Sequence, residues 1–157
     1  MRLWHKDLIP YLPRQQLLGQ WRECCCIAKS INEKGTPNHL LVNKIMDYPI
    51  THFWSYSLLV WCCCVARGYK VNKENFLRHC SGYNQWIWSS LWNCDDMEFV
   101  AINNPAYSYN IFPSWHNDKY LHQCLCNLQE KYDCGGISED EWLVIASRFD
   151  DKMRFCP

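Results

Sequence analysis

The run Phe53–Ala66, FWSYSLLVWCCCVA, carries no charged residue and constrains the fold more than any other feature of the chain. It falls short of the roughly 20 residues that span a bilayer. It is also too apolar on every side to face water, so it predicts a helix buried at the centre of an α-helical fold. Arg67-Gly68 closes it, because Gly68 can take the left-handed conformation that ends helices. The rest of the chain reads as elements packed around this segment. Pro10 and Pro13 keep residues 8–13 out of a helix and lead into one over residues 14–31. A shorter helix is expected over 38–47, ended by Tyr48-Pro49. Ser114 offers an N-cap for a helix that runs to Tyr132 and stops in the turn Asp133-Cys134-Gly135-Gly136. Ser138-x-x-Glu141 makes a capping box for a last helix ending near Phe149. No strand pattern or internal repeat is present. The expected fold is all-α, a compact helical bundle forming one domain over 1–157. A long irregular insertion is expected around 81–112, where the period is lost among asparagines and aromatics.

A chain of 157 residues can bury a core of its own without external staples. The twelve cysteines are therefore not needed as a disulfide scaffold. Six of them lie in two runs, Cys24–Cys26 and Cys62–Cys64, within helical patterns that fan adjacent side chains apart by about 100°. The N-terminal residues MRLWHKD lack the apolar stretch of a secretion signal. The cysteines read as mostly buried thiols, and the expected location is cytoplasmic and nucleoid-associated. Zero net charge conceals a division. Residues 1–80 hold 11 Lys/Arg against 5 Asp/Glu, and residues 81–157 hold 5 against 11. A basic half suits an anionic partner such as nucleic acid, and equally a solvated surface. The 24 aromatic residues exceed what one small core can hide. Trp86, Trp88, Trp92, Tyr107 and Tyr109 either stack on bases or cover the insertion's own core.

On the first long helix, Leu17, Leu18, Trp21, Cys24, Cys25 and Ala28 fall on one apolar arc. Glu23 falls on the polar side with Gln16, Gly19 and Ser30, and Gly19 leaves space one turn before it. The residues alone allow a solvated glutamate there. The opening Met1-Arg2-Leu3-Trp4, Leu8-Ile9 and Gln15-Gln16-Leu17-Leu18-Gly19-Gln20-Trp21-Arg22-Glu23 resembles that of the pyrimidine-dimer DNA glycosylase family. Asn38–Lys44, Trp115–Leu121 and Asn127–Tyr132 resemble bacterial relatives assigned to it. The resemblance covers about residues 1–80 and 112–142.

The resemblance implies a bifunctional glycosylase and AP lyase needing no metal or organic cofactor. The N-terminal α-amine attacks C1′ of a damaged nucleotide, releases the base and forms an imine, and a glutamate serves that imine and the β-elimination that follows. An α-amine titrates near about 7.7–8.0 against about 10.4 for a lysine, so neutral amine is at hand without desolvating a lysine. Methionine before a large residue is generally retained, which makes the amine of Met1 the expected nucleophile and Glu23 the acid and base. Arg2, Arg14, Gln15, Arg22 and Lys44 are the expected DNA contacts. His116 and Asn117, which open a helix, either join them or serve in capping and core hydrogen bonding. The expected partner is double-stranded DNA with a damaged base, bound by a monomer. Two alternatives stay open: a non-catalytic DNA-binding module of the same fold, and a glycosylase for another modified base. Cys124, Cys126, His116 and His122 suggest a metal site, but a C-x-C pair on a helix points its two thiols about 200° apart. A cysteine nucleophile with a histidine base has no local signature to support it.

Overall fold

A computed structural model of the chain describes residues 1–80 and 111–153. A 3-10 segment Lys6–Tyr11 precedes α1 (Arg14–Lys34), and a second, Asn43–Asp47, precedes α2 (Ile50–Ala66). The short α3 (Glu74–Leu77), α4 (Asp118–Asp133) and α5 (Glu139–Met153) follow. The described residues contain no strand, and the fold is all-α.

The apolar run is the hub. Phe53, Trp54, Tyr56, Leu58, Val60 and all three cysteines of the second run are buried, on every side of α2. Helix α2 stops where glycine was expected to stop it. Gly68 takes φ 71° and donates to the Val65 carbonyl at 2.8 Å, while Tyr69 N–H reaches back to Cys64 at 2.9 Å. This paired bonding satisfies the last carbonyls of the helix. The Arg67 guanidinium donates to the carbonyls of Leu12 and Pro10, fixing the approach to α1. None of the ten cysteines among the described residues forms a disulfide. Burial pushes Cys62 up to about 12 and Cys63 up to about 11, and raises Cys24 further. Such thiols hold almost no thiolate near neutrality and are poor nucleophiles.

Helix α1 runs beyond the expected Ile31 to Lys34, where Gly35 at φ 71° donates back to the Ile31 carbonyl. Its N-terminus has no capping side chain of its own. Glu141, 127 residues away on α5, accepts the Arg14 N–H at 2.8 Å and lends a carboxylate to that helix end. That hydrogen bond is the first cause of a lowered Glu141 pKa. Glu141 also closes the expected capping box with Ser138, whose hydroxyl it holds at 2.9 Å. Helical backbone angles break at Phe149, the expected end of α5.

Two local expectations fail. No α-helix forms over 38–47: Asn38 takes φ 54°, and the Asn43 side chain accepts the His39 N–H at 3.0 Å. Short polar side chains that bond nearby backbone compete with the helix in this way, leaving a turn and the 3-10 segment. Nor does Ser114 cap α4. Asn117 does, accepting the Tyr120 N–H at 3.0 Å, while the Ser114 hydroxyl pairs with Tyr48 at 2.5 Å. Residues 81–110 of the expected insertion, with its aromatics, lie outside the described residues. Ile111 and Phe112, placed at its end by the sequence, belong to the core.

Candidate active site

The first six residues form no helix of their own until Lys6, yet their backbone is bonded to three helices. Arg2 N–H donates to Glu23 Oε2 at 2.9 Å, and Trp4 N–H to Gln20 Oε1 at 3.0 Å. Gln20 and Glu23 stand three residues apart on α1, so their acceptors lie one above the other on a single face. Amides two residues apart in an extended chain point to the same side and meet that pair. From α4 the Tyr120 hydroxyl donates to the Leu3 carbonyl at 2.5 Å, and from α2 the Tyr56 hydroxyl donates to the Trp4 carbonyl at 2.8 Å. Lys6 N–H donates to His116 Nδ1 at 3.0 Å. Leu3, Trp4 and His5 are buried beneath these bonds, whereas Met1 is exposed. The chain start is thus held at a fixed place, with Glu23 on the amide directly after residue 1.

Glu23 is half-buried, between the buried Gln20–Ile27 side of α1 and a groove of about 370 Å³. Gln15, Gln16, Arg22 and Lys131 line that groove with it. Gly19 sits in the groove wall, and a Cβ built on it would meet only the Arg22 guanidinium, at 4.0 Å. Nothing among the described residues requires glycine there, although glycine within a helix costs about 1 kcal/mol relative to alanine. A second groove, of about 440 Å³, is lined by Arg2, Leu40, Leu41, Lys44, Trp115 and Tyr120 among others. The Arg2–Glu23 hydrogen bond joins the linings of the two grooves. Arg2 also lies 5.7 Å from the Trp4 ring, over its face.

Of the expected DNA contacts, Arg14, Gln15, Arg22 and Lys44 are exposed, and Gln15 and Arg22 share the Glu23 groove. Lys44 lies in the other groove with Arg2. His116 is a correction. It is 4 % exposed, stacks on His5 at 5.1 Å between ring centroids, and spends Nδ1 on Lys6. Burial, with His5 and Lys6 adding to it, pushes its pKa down to about 2 and keeps the imidazole neutral. Buried and neutral, the ring presents no charge to a phosphate, and its Nδ1 holds the N-terminal segment at Lys6. Asn117 is exposed but engaged at both ends of its amide, accepting from Tyr120 and donating to the Ser114 carbonyl. Gln20, Tyr56 and Tyr120 were not singled out from sequence. Their partners are backbone groups, which leave no trace in residue identity.

The described residues hold no group of three or more His, Cys, Asp or Glu arranged to bind a metal ion. His116 turns to Lys6, His122 Nδ1 lies 3.1 Å from the Lys152 carbonyl, and Cys124 is buried. Among the described residues no helix is long and apolar enough to cross a membrane.

No curated protein and no solved structure matches the chain. The model of the family described as pyrimidine dimer DNA glycosylase matches residues 1–76, which include the anchored N-terminal segment, α1 with Gln20 and Glu23, and all of α2. Over residues 1–76 the chain is similar to the pyrimidine dimer DNA glycosylase family, in agreement with the resemblance read from its opening residues.

Proposed function

We propose that the protein removes a damaged base of the pyrimidine-dimer type from duplex DNA and then cuts the strand, with the α-amine of Met1 as nucleophile and Glu23 as acid and base. The observation that carries this reading is the 2.9 Å hydrogen bond from Arg2 N–H to Glu23. It sets a carboxylate one residue from the amine, at the meeting of two grooves rimmed by cations.

In this mechanism the neutral amine attacks C1′ and the base leaves with the glycosidic electron pair, taking up a proton. The amine proton passes to Glu23 or to water. Opening of the sugar gives a protonated imine between C1′ and the Met1 nitrogen, whose positive charge the carboxylate stabilises. A base then removes a C2′ proton, the 3′ phosphate leaves in β-elimination, and hydrolysis of the imine frees the amine. Glu23 can serve each proton transfer because its Oε2 already lies beside the segment that carries the nucleophile. Arg22, Arg14, Gln15, Lys44 and Arg2 bind the phosphates around the lesion, joined by Asn117 at the start of α4. The nucleotide must leave the stack, since C1′ chemistry needs access that regular duplex denies. The enzyme works as a monomer in the cytoplasm.

The test is strand cutting on duplexes that each carry one defined lesion, run with free and N-terminally tagged protein. The free protein should cut dimer-containing and abasic duplexes and the tagged protein neither. Cutting of a different modified base, with the dimer left intact, would keep the chemistry and change the substrate. Binding without any cutting would make the protein a DNA-binding module.

A further inference from the structure

The second groove ends in two leucines that the fold holds out into solvent. Leu40 is 87 % exposed and Leu41 54 %, on a turn between α1 and α2. The turn is braced. The His39 carbonyl accepts from both Val42 N–H at 3.0 Å and Asn43 N–H at 2.9 Å, and Asn43 Oδ1 accepts the His39 N–H. Val42 directly after the leucines is fully buried and anchors the turn from beneath, as is Ile45 nearly so. Two adjacent branched apolar side chains on a pinned turn are not a loose end. Water is a poor partner for them, and nothing among the described residues covers them.

What flanks them selects the occupant. Arg2 and Lys44 line the same groove, with the rings of Trp115 and Tyr120 in its wall. Apolar points rimmed by cations suit a ligand with an apolar interior and an anionic edge, which describes a base stack between two phosphate backbones. Apolar side chains used as wedges between base steps unstack and kink a duplex. Arg2 belongs to this groove and its amide to Glu23, so a wedge here acts beside the proposed chemistry.

We infer that the Leu40-Leu41 turn is a wedge that enters the base stack and opens the duplex next to the nucleotide attacked by the N-terminal amine. This inference rests on the proposed glycosylase reading, and its test separates the two. Borohydride trapping is run with the Leu40→Ala/Leu41→Ala protein and the parent on the same abasic-site oligonucleotide, single-stranded and in duplex. Melting temperatures are taken alongside, and both leucines are exposed enough for the fold to keep. A wedge is needed only where a stack must be opened, so the ratio of duplex to single-strand trapping should fall at least tenfold in the variant. Leu40→Phe in the Leu41 background should restore most of it. A fluorescent 2-aminopurine beside the site should brighten when the parent binds and stay dim with the double alanine variant.

An unchanged ratio with equal brightening would overturn the wedge while leaving the glycosylase reading intact. Failure of the parent to trap either oligonucleotide would overturn that reading itself, and the wedge with it. Sedimentation showing that the leucines instead join two copies of the chain, lost in the variant, would also overturn it.

Discussion

Glu23→Gln separates the hydrogen bond that Glu23 makes in the structure from the proton transfers proposed for it. In the native protein Glu23 Oε2 accepts the Arg2 N–H at 2.9 Å in a half-buried setting. Glutamine has the same length and keeps an acceptor oxygen, so the chain start stays in place on a neutral hydrogen bond. Charge-assisted bonds are roughly twice as strong as neutral ones, which sets the loss of stability at about 1 kcal/mol. For a chain of this size that is a fall in Tm of about 2–4 °C. The chemistry loses far more. Without the charge there is no proton acceptor and no counter-charge for the imine, and general acid–base groups are worth about 10²–10⁴ in rate. That range is about 2.7–5.4 kcal/mol of barrier.

Gln20→Ala inverts the pattern. It leaves the buried Trp4 N–H without its acceptor, a loss of about 1–3 kcal/mol, while the carboxylate remains. It should melt earlier than Glu23→Gln and cut DNA faster. Glu33→Gln, an exposed residue whose partner Lys29 is 3.9 Å away, should change neither. The assays are single-turnover cleavage of an abasic duplex, thermal melting and DNA affinity, the last expected to hold or tighten as a negative charge leaves. Full cleavage by Glu23→Gln would refute the reasoning. So would a loss of activity in Gln20→Ala as large as that in Glu23→Gln, since position alone would then explain both.

Acid should loosen the protein through its histidines. His116, pushed down to about 2, is neutral when folded and takes up a proton once unfolded, and burial lowers His5 in the same direction. The stability they contribute is complete above the ordinary value near 6.5; below it the His116 contribution falls by about 1.4 kcal/mol per pH unit, and His5 acts in the same direction. Urea titrations at pH 7.5 and 5.0 check this, with equal midpoints as the contrary result. Glu141→Ala should cost about 0.5–2 kcal/mol by uncapping α1 at Arg14 and opening the box at Ser138, seen as a lower melting temperature with DNA affinity unchanged. Arg22→Ala should lower the slope of log affinity against log salt by about 0.9 if Arg22 makes one full phosphate contact. An unaltered slope would remove it from the binding surface.

The sequence made the helices legible where a local physical signal exists. The uncharged run of α2, the glycines at 68 and 135, and the Ser138–Glu141 box each act on their own neighbours. Glu23 was visible as a polar residue on an amphipathic helix, and only the resemblance marked it as more. Illegible were the bonds that hold the chain start, because Gln20, Tyr56, Tyr120 and His116 address backbone atoms up to 117 residues away in sequence. His116 looked available because it stands beside a helix start, and burial by His5 and Tyr56 cannot be read from that position. The 38–47 segment misled because apolar spacing there suits a helix, while Asn38 and Asn43 bond for a turn. The long-range cap of α1 by Glu141 was hidden inside a motif that accounted for the same residue locally.

The central claim is that the nucleophile is a backbone nitrogen, and mapping the covalent adduct tests it most directly. Borohydride reduction of the complex with abasic duplex, followed by proteolysis and mass spectrometry, locates the modified peptide. The account predicts that the reduced sugar sits on the α-nitrogen of Met1, in the peptide that contains Arg2. It also predicts that a protein blocked at that amine forms no adduct. A stable adduct on a lysine, with Lys131 in the Glu23 groove and Lys44 in the neighbouring one as the first candidates, would contradict it.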